Sequence, residues 1–350
     1  MFPETFVAAQ LYAYSRPGEM VFDPFSGRGT TVLESLLSDR DAIGTDINPV
    51  AACVSGAKAR VPEASLVRAR LEVLKKQFDP RKNADLDDEF FRLCFHPKTL
   101  KQILFLRSAL NWKGSDEDRF IAAVVLGCLH GESHRTHYCL SNRMPRTIST
   151  KPEYSIRWWR QRKLRPPQRD CFEILRYLIA YRLSKPVPKR SGEVVLADAR
   201  DSGSVLGSYA GRVSLVVTSP PYLDMTDYAE DQWLRLWFVG GSHRPRTRVH
   251  KDDRHRNEQD YWSFLEETWE GCGPLLGDKA TLVIRIGGTR LAREALFDGL
   301  SRTLRRGLDG RRIRALHKGV TTSNVRRQTD SFRPGTSGNR YEHDFVFFAS

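Results

Sequence analysis

No stretch of this 350-residue chain approaches the ~20 consecutive apolar residues that a membrane span needs. Its opening, MFPETFVAAQLYAYSRPGE, lacks the basic region and apolar core of a secretory signal, so a cytoplasmic location is the default expectation. Six cysteines (Cys53, Cys94, Cys128, Cys139, Cys171, Cys272) never fall as Cys-x-x-Cys, which argues against a zinc ribbon or a disulfide scaffold and leaves reduced thiols, several in the core. None of the 25 glycines is followed by lysine, which excludes a phosphate-binding P-loop. No fixed-period repeat and no low-complexity tract is present, which disfavours a solenoid or propeller. Acid is also scarce: 42 Asp and Glu stand against 56 Lys and Arg, a net charge of +14 that favours a polyanionic partner, nucleic acid first.

With 40% hydrophobic and 28% charged residues, the chain is expected to fold as a soluble globular protein of two domains, or of one domain with a large insertion. A short apolar run, EMVFDPF (residues 19–25), ends at Asp23. Ser26-Gly27-Arg28-Gly29-Thr30-Thr31 and a helical pattern follow, which reads as strand, Gly-rich turn and helix. A second strand, Ala42 to Thr45, ends at Asp46 ahead of Pro49, which suits a first helical turn. Two parallel strands joined by a helix make a right-handed βαβ unit.

Between about residues 58 and 191 the alternation disappears, and helical patterns such as SLVRARLEVLKKQF and RFIAAVVLGCLHG take over. Strand patterns return at Val194–Ala197, Val213–Val217, Ala280–Ile286 and Glu342–Ala349. The expected organisation is therefore an α/β domain formed by 1–57 and 192–350, interrupted by a helical insertion at 58–191. Residues 151–190 hold twelve Lys or Arg and three Asp or Glu, a local charge of 12 − 3 = +9, beside Tyr154, Trp158 and Trp159. That mixture suits phosphate neutralisation with base or sugar packing, although a solvated helical face gives the same pattern.

Chemistry concentrates at three strand ends. Asp23-Pro24-Phe25-Ser26-Gly27-Arg28-Gly29-Thr30-Thr31 puts glycines where backbone must turn tightly against a ligand, and Asp46 stands where an acid can hydrogen-bond ribose hydroxyls. Thr218-Ser219-Pro220-Pro221-Tyr222 removes two backbone donors and fixes two φ angles, giving a rigid loop of carbonyl acceptors, a hydroxyl and an aromatic face. Such a loop suits a planar base that bears an amino group. His130, His134 and His137 would share one face of a continuous helix with Cys139 close behind. This is not a His-Glu-x-x-His motif, and no metal is assigned.

Together, the Asp-Pro-Phe-Ser-Gly-Arg-Gly-Thr-Thr and Thr-Ser-Pro-Pro-Tyr motifs resemble those of the S-adenosylmethionine-dependent DNA amino-methyltransferases, and the Ser-Pro-Pro-Tyr form looks most like the cytosine-N4 group. Phe2-Pro3-Glu4-Thr5-Phe6 with Arg16-Pro17-Gly18-Glu19 is similar to the segment preceding the cofactor loop in that family. The resemblance implies a Rossmann-like methyltransferase fold with a mostly parallel twisted sheet and S-adenosyl-L-methionine as cofactor. Asp23, Phe25, Ser26, Gly27 and Gly29 would lie around the methionine part, with Thr30 also at the cofactor, Asp46 at the ribose and Asp198 at the adenine. Ser219, Pro220, Pro221 and Tyr222 would form the catalytic loop, acting on a flipped-out base. Double-stranded DNA would be the partner, held by Arg143, Arg157, Trp158, Arg160, Arg162 and Lys163, with a cognate restriction endonuclease as companion in a restriction-modification system. The insertion departs from the commonest family arrangement, because it lies between Asp46 and Asp198, before the third strand. C5 methylation is disfavoured, since no proline is followed by the cysteine nucleophile that route displays. Adenine-N6 or RNA amine methylation, and a catalytically silent nucleic-acid-binding subunit, are the alternative expectations.

Overall fold

The computed structural model describes residues 3–82, 86–131, 133–144, 152–223, 232–245, 257–288, 291–323 and 341–350. The chain divides into two compact units, one formed by Met1–Arg60, Pro188–Thr226 and Arg248–Ser350, the other by Val61–Val187 and Asp227–Thr247. The second unit thus takes in a segment that the sequence division leaves in its C-terminal part.

The first unit is a seven-stranded sheet of order β3-β2-β1-β4-β5-β7-β6. Its strands are β1 (Met20–Asp23), β2 (Asp41–Asp46), β3 (Glu193–Leu196), β4 (Val213–Thr218), β5 (Leu276–Gly288), β6 (Ile313–Ser323) and β7 (Tyr341–Ala349). The first five are mutually parallel, and β7 runs antiparallel between β5 and β6. Order reverses between β1 and β4, so the loops leaving those strands open side by side at the carboxyl edge, where α/β sheets bind ligands. This strand order with one inserted antiparallel strand is a Rossmann-like methyltransferase fold.

Both sheet faces are covered, which explains the continuous apolar runs of β1 and β4. On one face Val7 and Leu11, one turn apart on α1 (Glu4–Tyr14), pack with Val21, Leu215, Val217, Val283 and Val346. On the other, the helix Glu258–Cys272 brings Tyr261, Phe264, Leu265 and Trp269 against Phe22, Val216, Leu282 and Phe347. α2 (Thr30–Leu37) follows the Gly-rich turn. α3 (Pro49–Ala59) starts with Pro49 in its first turn and Asn48 as N-cap, its side chain accepting from Val50 N. Sequence patterning missed α1, β6 and the helices Glu258–Cys272 and Arg293–Gly307.

The second unit is helical: α4 (Ala64–Gln77), α5 (Glu89–Cys94), α6 (Pro97–Ala109), α7 (Asp116–Cys128), α8 (Pro152–Gln161), α9 (Cys171–Leu183) and the short helix Trp233–Phe238. Its core is aromatic, with Phe90 edge-on to Trp233 at 4.9 Å between ring centres and Phe91 against Trp237 at 4.6 Å. Asp118 is buried but not orphaned: both carboxylate oxygens take Arg70 at 2.7 and 3.1 Å, and Asn111 N donates a third bond at 2.8 Å.

The histidine spacing meets a correction here. α7 ends at Cys128, and the described residues from Ser133 to Tyr138 form turns, so His130, His134 and His137 do not share a helical face. His130 is buried, whereas His134 and His137 are exposed, and among the described residues no group of three or more His, Cys, Asp or Glu is placed to hold a metal. All six cysteines are buried and none is in a disulfide. No helix among the described residues is long and apolar enough to cross a membrane.

Candidate active site

β1 delivers Asp23 to the carboxyl edge almost fully buried, at 2% exposure. Its Oδ1 accepts from Phe25 N at 3.1 Å and from the Thr218 hydroxyl at 2.7 Å, so the residue that ends β1 is tied to the residue that ends β4. Burial lifts the Asp23 carboxyl from its ordinary 3.8 to about 6, against the opposing pull of those two hydrogen bonds.

Beyond Asp23 the chain turns through two left-handed glycines, Gly27 at φ 51° and Gly29 at φ 71°. A Cβ on Gly29 would lie 2.8 Å from that of Ser55, so β-carbon and backbone angle both exclude other residues. A Cβ on Gly27 would meet nothing nearer than 3.8 Å, which leaves open room beside the turn. Ser26 Oγ donates to Asp23 O at 3.0 Å and Thr45 Oγ1 to Pro24 O at 3.0 Å. Asp46 Oδ2 accepts from Gly27 N at 2.7 Å and its Oδ1 from Asn48 N at 2.8 Å. Burial raises the Asp46 carboxyl above its ordinary value although these amides pull it down. Thr30 begins α2, and Thr31 Oγ1 reaches across to Val217 O at 3.1 Å. Phe25 packs against Phe264 at 6.0 Å between ring centres.

Asp198 lies just past β3. Its carboxylate caps the following turn through Arg200 N and pairs with the Arg200 guanidinium at 3.1 and 3.0 Å, while Arg200 also reaches Glu267 at 2.8 Å. A neighbouring cation thus already engages the residue expected at the adenine.

Ser219-Pro220-Pro221-Tyr222 follows β4 directly. Tyr222 is 9% exposed and belongs to the core cluster with Leu223. Its hydroxyl donates to Glu342 Oε1 at 3.2 Å and receives Ser219 Oγ at 3.4 Å. Glu342 is the second residue of β7, the antiparallel strand whose N-terminal end reaches this same edge. Two strand positions on, Asp344 holds Arg285 of β5 in a bidentate pair at 2.6 and 2.8 Å. The Arg285 guanidinium lies 3.7 Å from the centre of the Phe6 ring on α1 and 3.7 Å from Glu342 Oε2.

The cofactor-loop and catalytic-loop candidates are therefore brought together, with Asp46 on the adjacent strand. Thr45, Arg285, Glu342 and Asp344 were not anticipated, and Thr218 was named only as the first residue of the proline-loop motif. Only the placement of Thr218 and Thr45 at strand ends hinted at a role.

The nucleic-acid candidates belong to the second unit. Trp158 is half-buried, with the guanidinium of Arg162 at 4.8 Å and that of Arg143 at 5.9 Å from its ring centre. Trp159 is wholly buried and donates from Nε1 to Arg143 O at 2.6 Å, which fixes the backbone under that arginine. Arg157, Arg162 and Lys163 are exposed, whereas Arg160, also exposed, is paired with Glu89.

The site, on this fold, is that of a methyltransferase-like αβ protein with an acidic, glycine-lined loop beside a proline-fixed one. The sequence profile of the DNA methylase family matches residues 1–54, which hold α1, β1, the Gly-rich turn and Asp46. The orphan methyltransferase M.BamHII of Bacillus amyloliquefaciens is 42% identical over 48 residues, covering 14% of this chain and only 18% of that protein. These matches support the DNA methylase family for residues 1–54. Among solved structures, TrmN from Thermus thermophilus aligns with a TM-score of 0.33 and 12% identity, over 99% of this chain and 48% of that one. The rRNA methyltransferase aviRa of Streptomyces viridochromogenes gives 0.33 and 13%, over 99% and 85%. Likeness at that level carries no argument about substrate, and the fold assignment rests on the strand order.

Proposed function

We propose that this protein is a DNA methyltransferase that moves a methyl group from S-adenosylmethionine to the exocyclic N4 amine of cytosine in a base turned out of the duplex. The observation that carries the reading is the adjacency of two loops. Asp23–Gly29 and Thr218–Tyr222 leave neighbouring strands at the topological switch point and are tied by the Thr218–Asp23 hydrogen bond. A restriction-modification setting, with a cognate endonuclease as companion, is the context in which such an activity protects a DNA site.

The residues present fit the cofactor. Gly27 has open space beside it, Gly29 admits no side chain, and Asp46 is already ordered by two amides at the end of β2. When bound, S-adenosylmethionine supplies an electrophilic sulfonium methyl. Asp46 would hold its ribose hydroxyls through the lone pairs that the amides leave, and Asp23 with residues 25–30 would surround its methionine part. Asp198, with Arg200 beside it, would face the adenine. The amine of cytosine is conjugated with its ring and weakly nucleophilic. Acceptors at Ser219 Oγ and the Pro220 carbonyl, held by a loop without φ freedom, would orient it for in-line attack without a covalent enzyme intermediate. Tyr222 would support the turned-out base.

The test is mass spectrometry of nucleosides from unmodified genomic DNA treated with the protein and labelled cofactor. Label in N4-methylcytosine is expected. Label in N6-methyladenine would move the assignment to the adenine enzymes, and label in RNA alone would move it off DNA. No transfer to any DNA that the protein binds would point to a silent binding subunit. Asp46→Ala should weaken the affinity for S-adenosylhomocysteine, measured by calorimetry, by ~1.5 to 3 kcal/mol, the range for a lost charged hydrogen bond. Unchanged affinity would remove Asp46 from the cofactor site.

A further inference from the structure

The face of the sheet beneath α1 carries an acidic and basic group that neither loop motif includes. Arg285 and Asp344 sit opposite each other in the β5–β7 register, and Glu342 is two positions along β7 on the same face. Arg285 and Asp344 are 5% and 8% exposed, so their pair is shielded from solvent. Three groups fix Arg285: both oxygens of Asp344, the ring of Phe6 and Glu342 Oε2. Glu342 is in turn held by a cation that cannot swing away, and its other oxygen faces the Tyr222 hydroxyl at 3.2 Å.

We propose that Glu342, braced by Arg285, is a positioning residue for the catalytic loop: it keeps the Tyr222 hydroxyl as a donor and leaves Ser219 Oγ as an acceptor for the target amine. The inference rests on the amine-methyltransferase reading. Its logic is the direction of hydrogen bonding. A carboxylate is acceptor-only, so the Tyr222 O–H points to Glu342 and the Tyr222 oxygen is left to accept from the Ser219 O–H at 3.4 Å. Burial, followed by the negative charge of Glu342, pushes the Tyr222 hydroxyl above its ordinary value, so it stays protonated and able to donate. With its only hydrogen turned inward, Ser219 presents lone pairs outward. Those suit an amine N–H and repel a ring carbonyl, which biases the site towards a base bearing an amino group. At 3.4 Å the Ser219 contact is long, so this polarity is a bias and not a lock. The same chain of contacts links Phe6, in the segment matched by the DNA methylase profile, to the loop that follows β4.

The experiment is a double-mutant cycle between Tyr222→Phe and Glu342→Ala, read in two ways. In methyl transfer to unmodified genomic DNA, Glu342→Ala should lower kcat by about tenfold or more while KM for DNA and affinity for S-adenosylhomocysteine stay within about twofold. In the Tyr222→Phe background the same change should cost less than about twofold in kcat, because the hydroxyl through which Glu342 acts is gone. Glu342→Gln, which keeps an acceptor oxygen, should recover most of the rate. The second reading is urea unfolding of the cofactor-free protein, where the two substitutions should be coupled by about threefold or more in the unfolding equilibrium. Additive effects in both readings, or an undiminished kcat in Glu342→Ala, overturn the proposal. A wild-type protein that transfers no methyl group removes the functional reading, while the unfolding cycle still decides whether Glu342 holds Tyr222.

Discussion

Asp23 holds a carboxyl group at 2% exposure beside neutral donors, among them Phe25 N and the Thr218 hydroxyl. Raising a carboxyl from 3.8 to about 6 means that the folded state binds a proton more tightly than the unfolded chain between those values. Stability from this group is therefore greatest below about pH 4, falls as pH rises towards 6, and is ~3 kcal/mol lower above that, at ~1.4 kcal/mol per tenfold change in proton affinity. An asparagine keeps an acceptor oxygen for both donors and carries no charge. Asp23→Asn should thus unfold at higher urea than the wild type at pH 7.5, by ~1 to 3 kcal/mol, with the gain fading near pH 4. It should also bind S-adenosylhomocysteine more weakly, the trade expected where a strained charge is kept for function. A variant less stable than wild type at pH 7.5 would show that the carboxylate charge is compensated in the folded protein.

Glycines on two elements set the shape of the turn after β1, and only one kind was visible in the sequence. Gly27 and Gly29 announce themselves in a Gly-x-Gly turn after a strand. Gly44 in the middle of β2 does not, yet a Cβ there would lie 2.2 Å from Ser26 Oγ and 3.0 Å from Asp23 O. Ser26 can rotate away, but the Asp23 carbonyl belongs to the strand end and cannot. Gly44→Ala should therefore cost ~1 to 3 kcal/mol in urea unfolding and weaken S-adenosylhomocysteine binding. Gly207→Ala, with nothing within 4 Å of its Cβ, should change neither. The contrast shows what local pattern can carry. Strands β1 to β5 and β7 each had an apolar run, and both motif loops sit at strand ends, so the framework was legible. α1 was not, because Val7 and Leu11 supply a single turn of periodicity. β6 was not, because as an edge strand it alternates too weakly against basic residues. Arg285 and Glu342, 342 − 285 = 57 positions apart in sequence, come together only through antiparallel pairing of β5 and β7, which no local window records. The histidines failed in the opposite way: their spacing suited a helix that stops at Cys128.

Across the whole chain the net charge is +14, and 12 − 3 = +9 of it falls in residues 151–190, yet the side chains there are not equivalent. Arg160 is paired with Glu89, and Arg176 with Glu72 and Glu173, so part of the basic charge is already neutralised within the protein. Arg190 belongs to the other unit, where it holds Asp39 and Asp41 at 2.6 and 2.7 Å. Arg157, Arg162 and Lys163 are exposed, and Arg162 lies over the Trp158 ring, which orders its guanidinium at little entropic cost. If these three contact phosphates, each should contribute ~0.9 to the slope of log K against log salt on duplex DNA. Changing all three to Ala should reduce that slope by ~2 to 3, with affinity converging on that of the wild type as salt rises. Arg160→Ala alone should move the slope less, because its charge is already shared with Glu89. Trp158→Ala should weaken binding chiefly by disordering Arg143 and Arg162, with a smaller change in slope than the triple variant. Anisotropy titrations of a labelled duplex at 50 to 300 mM salt separate these cases. An unmoved slope in the triple variant would make this surface a solvated helical face and place DNA binding elsewhere on the chain.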